Sequence, residues 1–253
     1  MAAWLTEMTP SERVERYLRE YAVRSDAPRS ADLGTRDGDG QSLPRELAAA
    51  VPLAHAFHDR YGGLMLPIAG GPLWPGLLLG VFRGRPIWQT SSGEVVFRAA
   101  EHDEAQCAFT LSTEGVFAAA WSREFTALLD SFAMLLEHCA LWAAVQRWHY
   151  AWIDTAAPEA VTGSMVEDLA IQPQASGRLG RSWLGADTAV FAAPNLTGLQ
   201  DGHPQVCVLV RDHTRVADVR RRLHGLGENP SSAAEPGYRP VPALAPNPGG
   251  RRR

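Results

Sequence analysis

The hydrophobic residues near the N-terminus recur at helical spacing. A start signal at Thr9-Pro10-Ser11-Glu12 combines a capping side chain, a proline and a glutamate. The apolar stripe behind it consists of Val14, Tyr17, Leu18 and Tyr21. This pattern predicts a short helix that docks on the rest of the protein, within residues 1–24.

Residues 25–42 are rich in Asp, Gly, Ser and Arg and contain almost no apolar side chains. Such a segment buries too little apolar surface to offset the entropy of ordering, so a flexible loop is predicted. Helical spacing returns from Leu43 to His58, where Pro52 requires an interruption or a break between two short helices. Gly62-Gly63 then predicts the end of this helical stretch.

After Gly63 the pattern changes to short apolar runs separated by turn residues. The runs are 64–66, 77–82, 87–90, 94–98, 107–111 and 116–120. Closely spaced turns between such runs predict an antiparallel meander of six or nearly six strands.

From Ser122 the apolar residues again recur at steps of three and four. They are Phe125, Leu128, Leu129, Phe132, Leu135, Leu136, Cys139 and Trp142. The spacing predicts one long helix, capped by Ser122, that covers one face of the sheet. Its polar side is sparse, so we expect a second apolar surface, from the C-terminal region or a partner, to cover part of the rest.

The C-terminal third gives weaker patterns. Residues 188–193 and 206–210 predict strands, and 214–223 predict a basic helix with Val216, Val219 and Leu223 inside. Six prolines between residues 230 and 248 predict a disordered tail over 226–253.

The predicted fold class is therefore α+β: an antiparallel meander sheet covered by a long helix, with a smaller C-terminal α/β extension. The predicted organisation is an N-terminal helix (1–24), a flexible loop (25–42), an α+β domain (43–152), a C-terminal α/β extension (153–225) and the tail.

Composition narrows the class of protein. All 24 basic residues are arginine, which favours a high-GC, actinobacterial type of source. The formal net charge of -4 gives no overall footprint for nucleic acid, and no apolar run is long enough to span a bilayer, so neither partner is expected. The acidic N-terminus does not resemble a signal peptide, and the three dispersed cysteines favour a reducing cytoplasm.

Candidate chemistry is sparse. His55 and His58 share a helix face but lack a third metal ligand, and residues 35–46 match a calcium loop only in part. His138 and Cys139 are adjacent on the predicted helix and point about 100° apart, so they do not form a catalytic pair. We expect no catalytic residues, no metal and no cofactor.

Protein binding is the better supported hypothesis. Glu101-His102-Asp103-Glu104 is predicted to form an exposed acidic turn that, beside Glu94 and with Trp88 on a neighbouring strand, steers a basic protein partner. A charge run of this kind more often forms a solvated hairpin that needs no partner, and that alternative stays open. The aromatic residues between Trp142 and Trp152 are expected to pack between the sheet domain and the C-terminal extension, with an interface as the alternative.

The order of short motifs resembles the SUKH superfamily over roughly residues 43–150. The motifs are Tyr61-Gly62-Gly63 leaving a helix, Leu79-Gly80, Ser92-Gly93-Glu94-Val95, and a serine-capped helix from Ser122 to Leu129. The chain departs from the family in a proline-rich insertion over residues 67–75 and in a longer closing helix. The resemblance implies a non-enzymatic binding protein, most often an immunity protein that holds a bacterial toxin inactive.

Two other functions stay open. One is a structural or regulatory component of a larger assembly, tethered by the proline-rich tail. The other is an enzyme or small-ligand carrier, whose pocket between the sheet and the region after Asp154 would need His102, His203 and Asp212 to converge.

Overall fold

The computed structural model describes residues 4–5, 8–24, 43–67, 76–80, 87–101, 108–121, 124–155, 158–194 and 204–226 of the 253-residue chain. The predicted flexible loop and the predicted disordered tail after residue 226 lie outside these residues. The helices are α1 Glu12–Glu20, α2 Arg45–Ala48, α3 Val51–Tyr61, α4 Phe132–Val145, α5 Pro158–Gly163 and α6 Val216–Leu226.

The strands form two antiparallel sheets. The larger sheet contains β1 Val23–Arg24, β2 Leu64–Leu66, β3 Leu77–Leu79, β4 Ile87–Gln89, β5 Val95–Glu101, β6 Ala108–Ser112, β7 Phe117–Trp121 and β8 Glu124–Leu129. The smaller sheet contains β9 His149–Asp154, β10 Ala170–Ile171, β11 Arg181–Leu184, β12 Thr188–Pro194 and β13 Pro204–Val210. The predicted α+β class is confirmed.

In the part of the chain that the structure describes, the larger sheet has eight strands, whereas six or nearly six were predicted. Its order is β1-β2-β3-β5-β6-β7-β8, and β4 pairs with the first half of β5 while β3 pairs with its far end. The smaller sheet has the order β10-β11-β12-β13-β9. The second sheet therefore begins at His149, within the segment that the sequence assigned to the first domain.

The predicted helix from Ser122 is wrong over its first part, because residues 124–129 form β8 along β7. Ser122 lies outside the described residues, and the cap of the long helix is Ser131, whose Oγ accepts a hydrogen bond from the backbone amide of Met134. A register shift between Phe117 and Ala118 turns both Leu128 and Leu129 into the core. This bulge explains why a strand carries apolar spacing that resembles a helix.

Helix α4 lies between the two sheets. Phe132, Leu135 and Cys139 belong to the core beneath the larger sheet, whereas Leu141 and Trp142 pack with the smaller sheet. A helix that is apolar on all sides is expected to be covered on all sides. The expectation that the C-terminal region covers the second face of this helix is confirmed.

The smaller sheet is buried on both faces. Alternate residues of β9, β12 and β13 face either α4 or the pair α5 and α6. The side facing α5 and α6 is lined by Ala151, Ile153, Val190, Ala192, Val206, Val208 and Val210. The structure thus has four layers: the larger sheet, the layer that contains α4, the smaller sheet, and the outer helices α5 and α6.

Candidate partner-binding surface

The turn between β4 and β5 presents Glu94 to solvent. Thr90, which is buried, donates its backbone amide to the carbonyl of Glu94 and accepts the amide of Glu94 on Oγ1. Gln89 donates from its side chain to the carbonyl of Gly93, which adopts a positive φ of 88°. These bonds close the hairpin and fix the backbone that carries the exposed side chain of Glu94.

Trp88, which was expected on the partner-binding surface, has a covered side chain in this structure. Trp88 is 7% exposed and lies with Val96 and Ala120 on the outer face of the larger sheet, packed against Phe125. Its indole nitrogen is buried without a hydrogen-bond partner among the described residues. A side chain this covered cannot anchor a partner unless the surface rearranges.

Glu101 lies at the far end of β5 and pairs with Arg98 at 3.0 Å. Residues three apart on a regular strand face opposite sides, but the register shift between Arg98 and Ala100 makes Ala99 an extra residue. Arg98 and Glu101 therefore share the outer face. This ion pair neutralises much of the negative charge that Glu101 was expected to present to a partner.

The acidic group predicted around Glu94 is not assembled as expected. Glu94 directly precedes β5 and Glu101 ends it, a separation of about 20 Å for an extended strand. Glu101, the one residue of the predicted acidic turn that the structure describes, therefore does not lie beside Glu94. His102, Asp103 and Glu104 lie outside the described residues.

The Tyr61-Gly62-Gly63 motif joins α3 to β2, as predicted. The ring of Tyr61 packs on Phe57 at a centroid distance of 5.4 Å and on Phe132 of α4 at 4.9 Å. Burial raises the pKa of Tyr61, and its hydroxyl has no hydrogen-bond partner in the described part of the chain. The motif thus connects the helix exit to the start of the closing helix.

The two glycines of this motif are needed for different reasons. Gly63 has a φ of 80°, in the left-handed region, and donates its amide to the carbonyl of Leu79 on β3. Gly62 has an ordinary φ of -57°, but a Cβ there would lie 2.5 Å from the carbonyl oxygen of His58. One glycine permits the turn and the other permits a close backbone approach.

The candidate metal ligands do not assemble in the described residues. No group of three or more His, Cys, Asp or Glu side chains that could hold a metal occurs there. His55 is half-buried, and His58 is buried in the core. Burial lowers the pKa of His58 to about 4, against the opposing effect of a hydrogen bond to the backbone of Arg98.

His138 and Cys139 face different cores, as their adjacency on a helix requires. His138 accepts a hydrogen bond on Nε2 from the indole nitrogen of Trp142 at 2.9 Å and packs edge-on against Phe191. Cys139 lies in the core beneath the larger sheet. A catalytic pair of these two residues is excluded by this geometry.

The aromatic residues after α4 pack mainly against the smaller sheet. Trp142 is 4% exposed and stacks on Phe191 with ring centroids 4.6 Å apart. Trp148, Tyr150 and Trp152 are half-buried against the same cluster. The interpretation as core packing between the two sheets is confirmed for Trp142, whereas the other three keep part of their surface in solvent.

The glycine-flanked turn at residues 177–180 binds the side-chain carboxylate of Asp130 from the same chain. Asp130 accepts the backbone amide of Leu179 at 2.9 Å and lies 3.6 Å from the guanidinium of Arg178. A Cβ on Gly177 would collide with the same carboxylate. The turn therefore serves to attach the smaller sheet to the residue that precedes the cap of α4.

Asp212 does not lie in a cleft. It is exposed, and it caps the short 3-10 helix His213–Arg215 by accepting the amide of Thr214 at 2.9 Å, the bond that lowers the pKa of its carboxyl. His102 and His203, its partners in the pocket hypothesis, lie outside the described residues.

The sequence analysis predicted a basic helix in this region but not the contacts that its neighbouring arginines make. Arg211 stacks over the ring of Trp148, and Arg215 pairs with Asp187 at 2.8 Å. Both contacts join residues far apart in sequence, so only the arginine count between residues 211 and 222 could have signalled them.

Comparison with protein-family models found no match, and comparisons with curated proteins and with solved structures found no significant similarity. The fold by itself defines an α+β protein with one large antiparallel sheet and a second smaller one. No helix in the described part of the chain is long and apolar enough to cross a membrane.

Proposed function

We propose that the chain is a non-enzymatic, SUKH-type binding protein that acts as an immunity protein and holds a toxin or effector partner inactive. The observation that carries this proposal is the contact of Tyr61, directly before Gly62-Gly63, with Phe132 at the start of the closing helix. It places the Tyr61-Gly62-Gly63 motif in one core with the start of the closing helix. Fold similarity alone does not define function, so an experiment must decide.

The order of elements also supports the proposal. A helix ends at the aromatic-Gly-Gly motif, antiparallel strands follow, and a serine-capped helix closes the sheet. The serine-capped helix that the resemblance placed at Ser122 to Leu129 is not found there, because residues 124–129 form β8. The closing helix begins later and is capped by Ser131.

The mechanism we propose is occlusion by a complementary surface, with no bond made or broken. Glu94 is exposed at the tip of a closed hairpin, so it can meet a cationic partner without rearrangement of the fold. Complementary charge mainly raises the rate of encounter. The contact surface would then be the hairpin rim of the larger sheet, because Trp88 on its outer face is covered.

The test is purification of the tagged full chain from its own cells, followed by mass spectrometry and expression of the captured partner in a second host. The proposal predicts one stoichiometric partner that arrests growth alone and does not do so when the chain is co-expressed. Several assembly components without toxicity, or a co-purified small molecule without a protein, would contradict it.

A matched pair of variants tests the contact surface. Glu94→Arg reverses an exposed charge on the hairpin, and Glu159→Arg reverses an exposed charge on α5, beyond the smaller sheet. We expect Glu94→Arg to slow association with the partner about tenfold at low salt and Glu159→Arg to change it less than about twofold. Equal effects would rule out the hairpin as the site.

A further inference from the structure

The segment from residue 211 to residue 224 forms an exposed basic surface on a chain whose formal net charge is -4. It contains five arginines and two histidines against two aspartates. We call this surface the basic segment. Its side chains lie on the 3-10 helix His213–Arg215 and on α6, beyond the smaller sheet as seen from the larger one.

Two arginines of the basic segment are held in place by contacts to other elements. The guanidinium of Arg211 lies 5.2 Å from the ring centroid of Trp148. Arg215 donates to Asp187 at 2.8 Å and to Thr188 at 3.3 Å, and its side chain remains 46% exposed. Both cations are thus oriented in advance, which lowers the entropy cost of binding an anion.

Two further arginines have no ion-pair partner among the described residues. Arg220 and Arg222 are exposed on α6, whereas Val219, which precedes them, and Leu223, which follows them, are buried against the smaller sheet. Burial of Val219 and Leu223 fixes the orientation of α6 about its own axis, so Arg220 and Arg222 project from its flanks. Their guanidinium groups have no internal role in the described structure.

We propose that the basic segment is a docking surface for an acidic segment of a protein partner. Guanidinium groups bind carboxylates in a bidentate manner, and several of them in a fixed array select a run of Asp or Glu side chains. Helix α6 has 11 residues and is about 16 Å long, which matches a short acidic stretch. The proposal does not depend on the immunity function, since it concerns a different surface of opposite charge.

A polypeptide fits this surface better than nucleic acid. Helix α5 contacts α6 and carries exposed Glu159, and Glu167 and Asp168 follow it in an exposed turn. Asp187 and Asp218 lie within the surface, each paired with an arginine. A duplex carries charge along its whole length and would run onto these carboxylates, whereas a short acidic stretch need not.

The experiment measures binding of a fluorescent peptide of about ten glutamates to the full-length protein by anisotropy at low salt. The test variant is Arg220→Gln with Arg222→Gln. The control is Arg16→Gln with Arg19→Gln, which removes two exposed arginines from α1. Unchanged circular dichroism and melting temperature establish that both variants fold.

We expect the wild type to bind the peptide, the test variant to bind at least about fivefold more weakly, and the control to stay within about twofold. Binding should weaken as salt is raised. Absence of peptide binding, equal losses in both variants, or tighter binding of a duplex DNA of about 20 base pairs would overturn the proposal.

Discussion

Arg13 of α1 donates hydrogen bonds to one carboxylate oxygen of Glu137 on α4, from Nη2 at 2.9 Å and from Nε at 3.2 Å. The same guanidinium donates to the side-chain oxygen of Gln172 at 3.0 Å. Glu137 is 5% exposed, so a buried charge on the otherwise apolar helix α4 is compensated by one residue of α1. This contact joins three parts of the fold.

Removal of Arg13 should leave a buried carboxylate without its counter-ion. We expect Arg13→Ala to lower the free energy of unfolding by about 3 kcal/mol, measured by urea denaturation. Arg16→Ala, on the exposed side of the same helix, should change it by less than about 0.5 kcal/mol. A double variant, Arg13→Met with Glu137→Leu, should recover stability relative to Arg13→Ala, and failure to do so would argue against an electrostatic origin.

The buried imidazole of His58 should make stability depend on pH. Its pKa falls from 6.5 to about 4 in the folded protein, so the unfolded chain binds the proton more readily. Its contribution is therefore fully present above pH 6.5 and is lost as pH falls towards 4, up to about 3 kcal/mol. The free energy of unfolding, measured by urea denaturation at several pH values in this range, should depend less on pH in His58→Gln than in the wild type.

Substitution at Gly63 should destabilise the helix exit. A β-branched residue is strained at a φ of 80°, so Gly63→Val should lower the melting temperature in line with a loss of about 2 kcal/mol. Gly63→Asn should cost less, because asparagine tolerates the left-handed region. If the valine variant kept its stability and lost a partner, the motif would be a binding element instead of an architectural one.

The hydroxyl of Tyr61 should contribute little to stability. It is buried without a hydrogen-bond partner among the described residues, so Tyr61→Phe should change the free energy of unfolding by less than about 0.5 kcal/mol. Tyr61→Ala removes the ring that packs on Phe57 and Phe132 and should cost about 3 kcal/mol or more. A large loss in the phenylalanine variant would reveal a partner for the hydroxyl.

The thiols of Cys139 and Cys207 should be unreactive in the folded protein. Both are free and buried, and burial raises the pKa of each thiol, which suppresses the reactive thiolate. In a Cys107→Ser variant, labelling with a thiol reagent at neutral pH should occur only after denaturant is added. Rapid labelling of the native variant would contradict the buried placement.

Several elements of the fold follow from local signals in the sequence. Ser11 caps α1 by accepting the amide of Val14, two residues later than the first residue of the predicted start signal. The predicted break between two short helices falls at Ala49 and Ala50, and Pro52 lies in the first turn of α3, where its missing amide costs nothing. The strands between Leu64 and Trp121 also agree with the alternation of apolar runs and turns. In each case the determining residues are neighbours in the chain.

The misassigned features depend on distant contacts. The apolar residues of 124–129 have helical spacing, but pairing with β7 makes this segment a strand. The bulge at Leu128 accounts for the spacing. Trp88 was predicted on a surface, although alternation places it opposite Val96 in a covered cluster. The link of Arg98 to Glu101 depends on an extra residue in β5 that no local signal marks.

Both sheets depend on helix α4 to complete their cores. One of its faces completes the core under the larger sheet, and the other completes the core of the smaller sheet with Trp142 and Leu141. A fragment that ended after Val145 would present this second face to water, and a fragment that began at His149 would lack the helix altogether. Neither half completes its core alone, so we expect separation of the two within residues 146–148 to expose apolar surface and to favour aggregation.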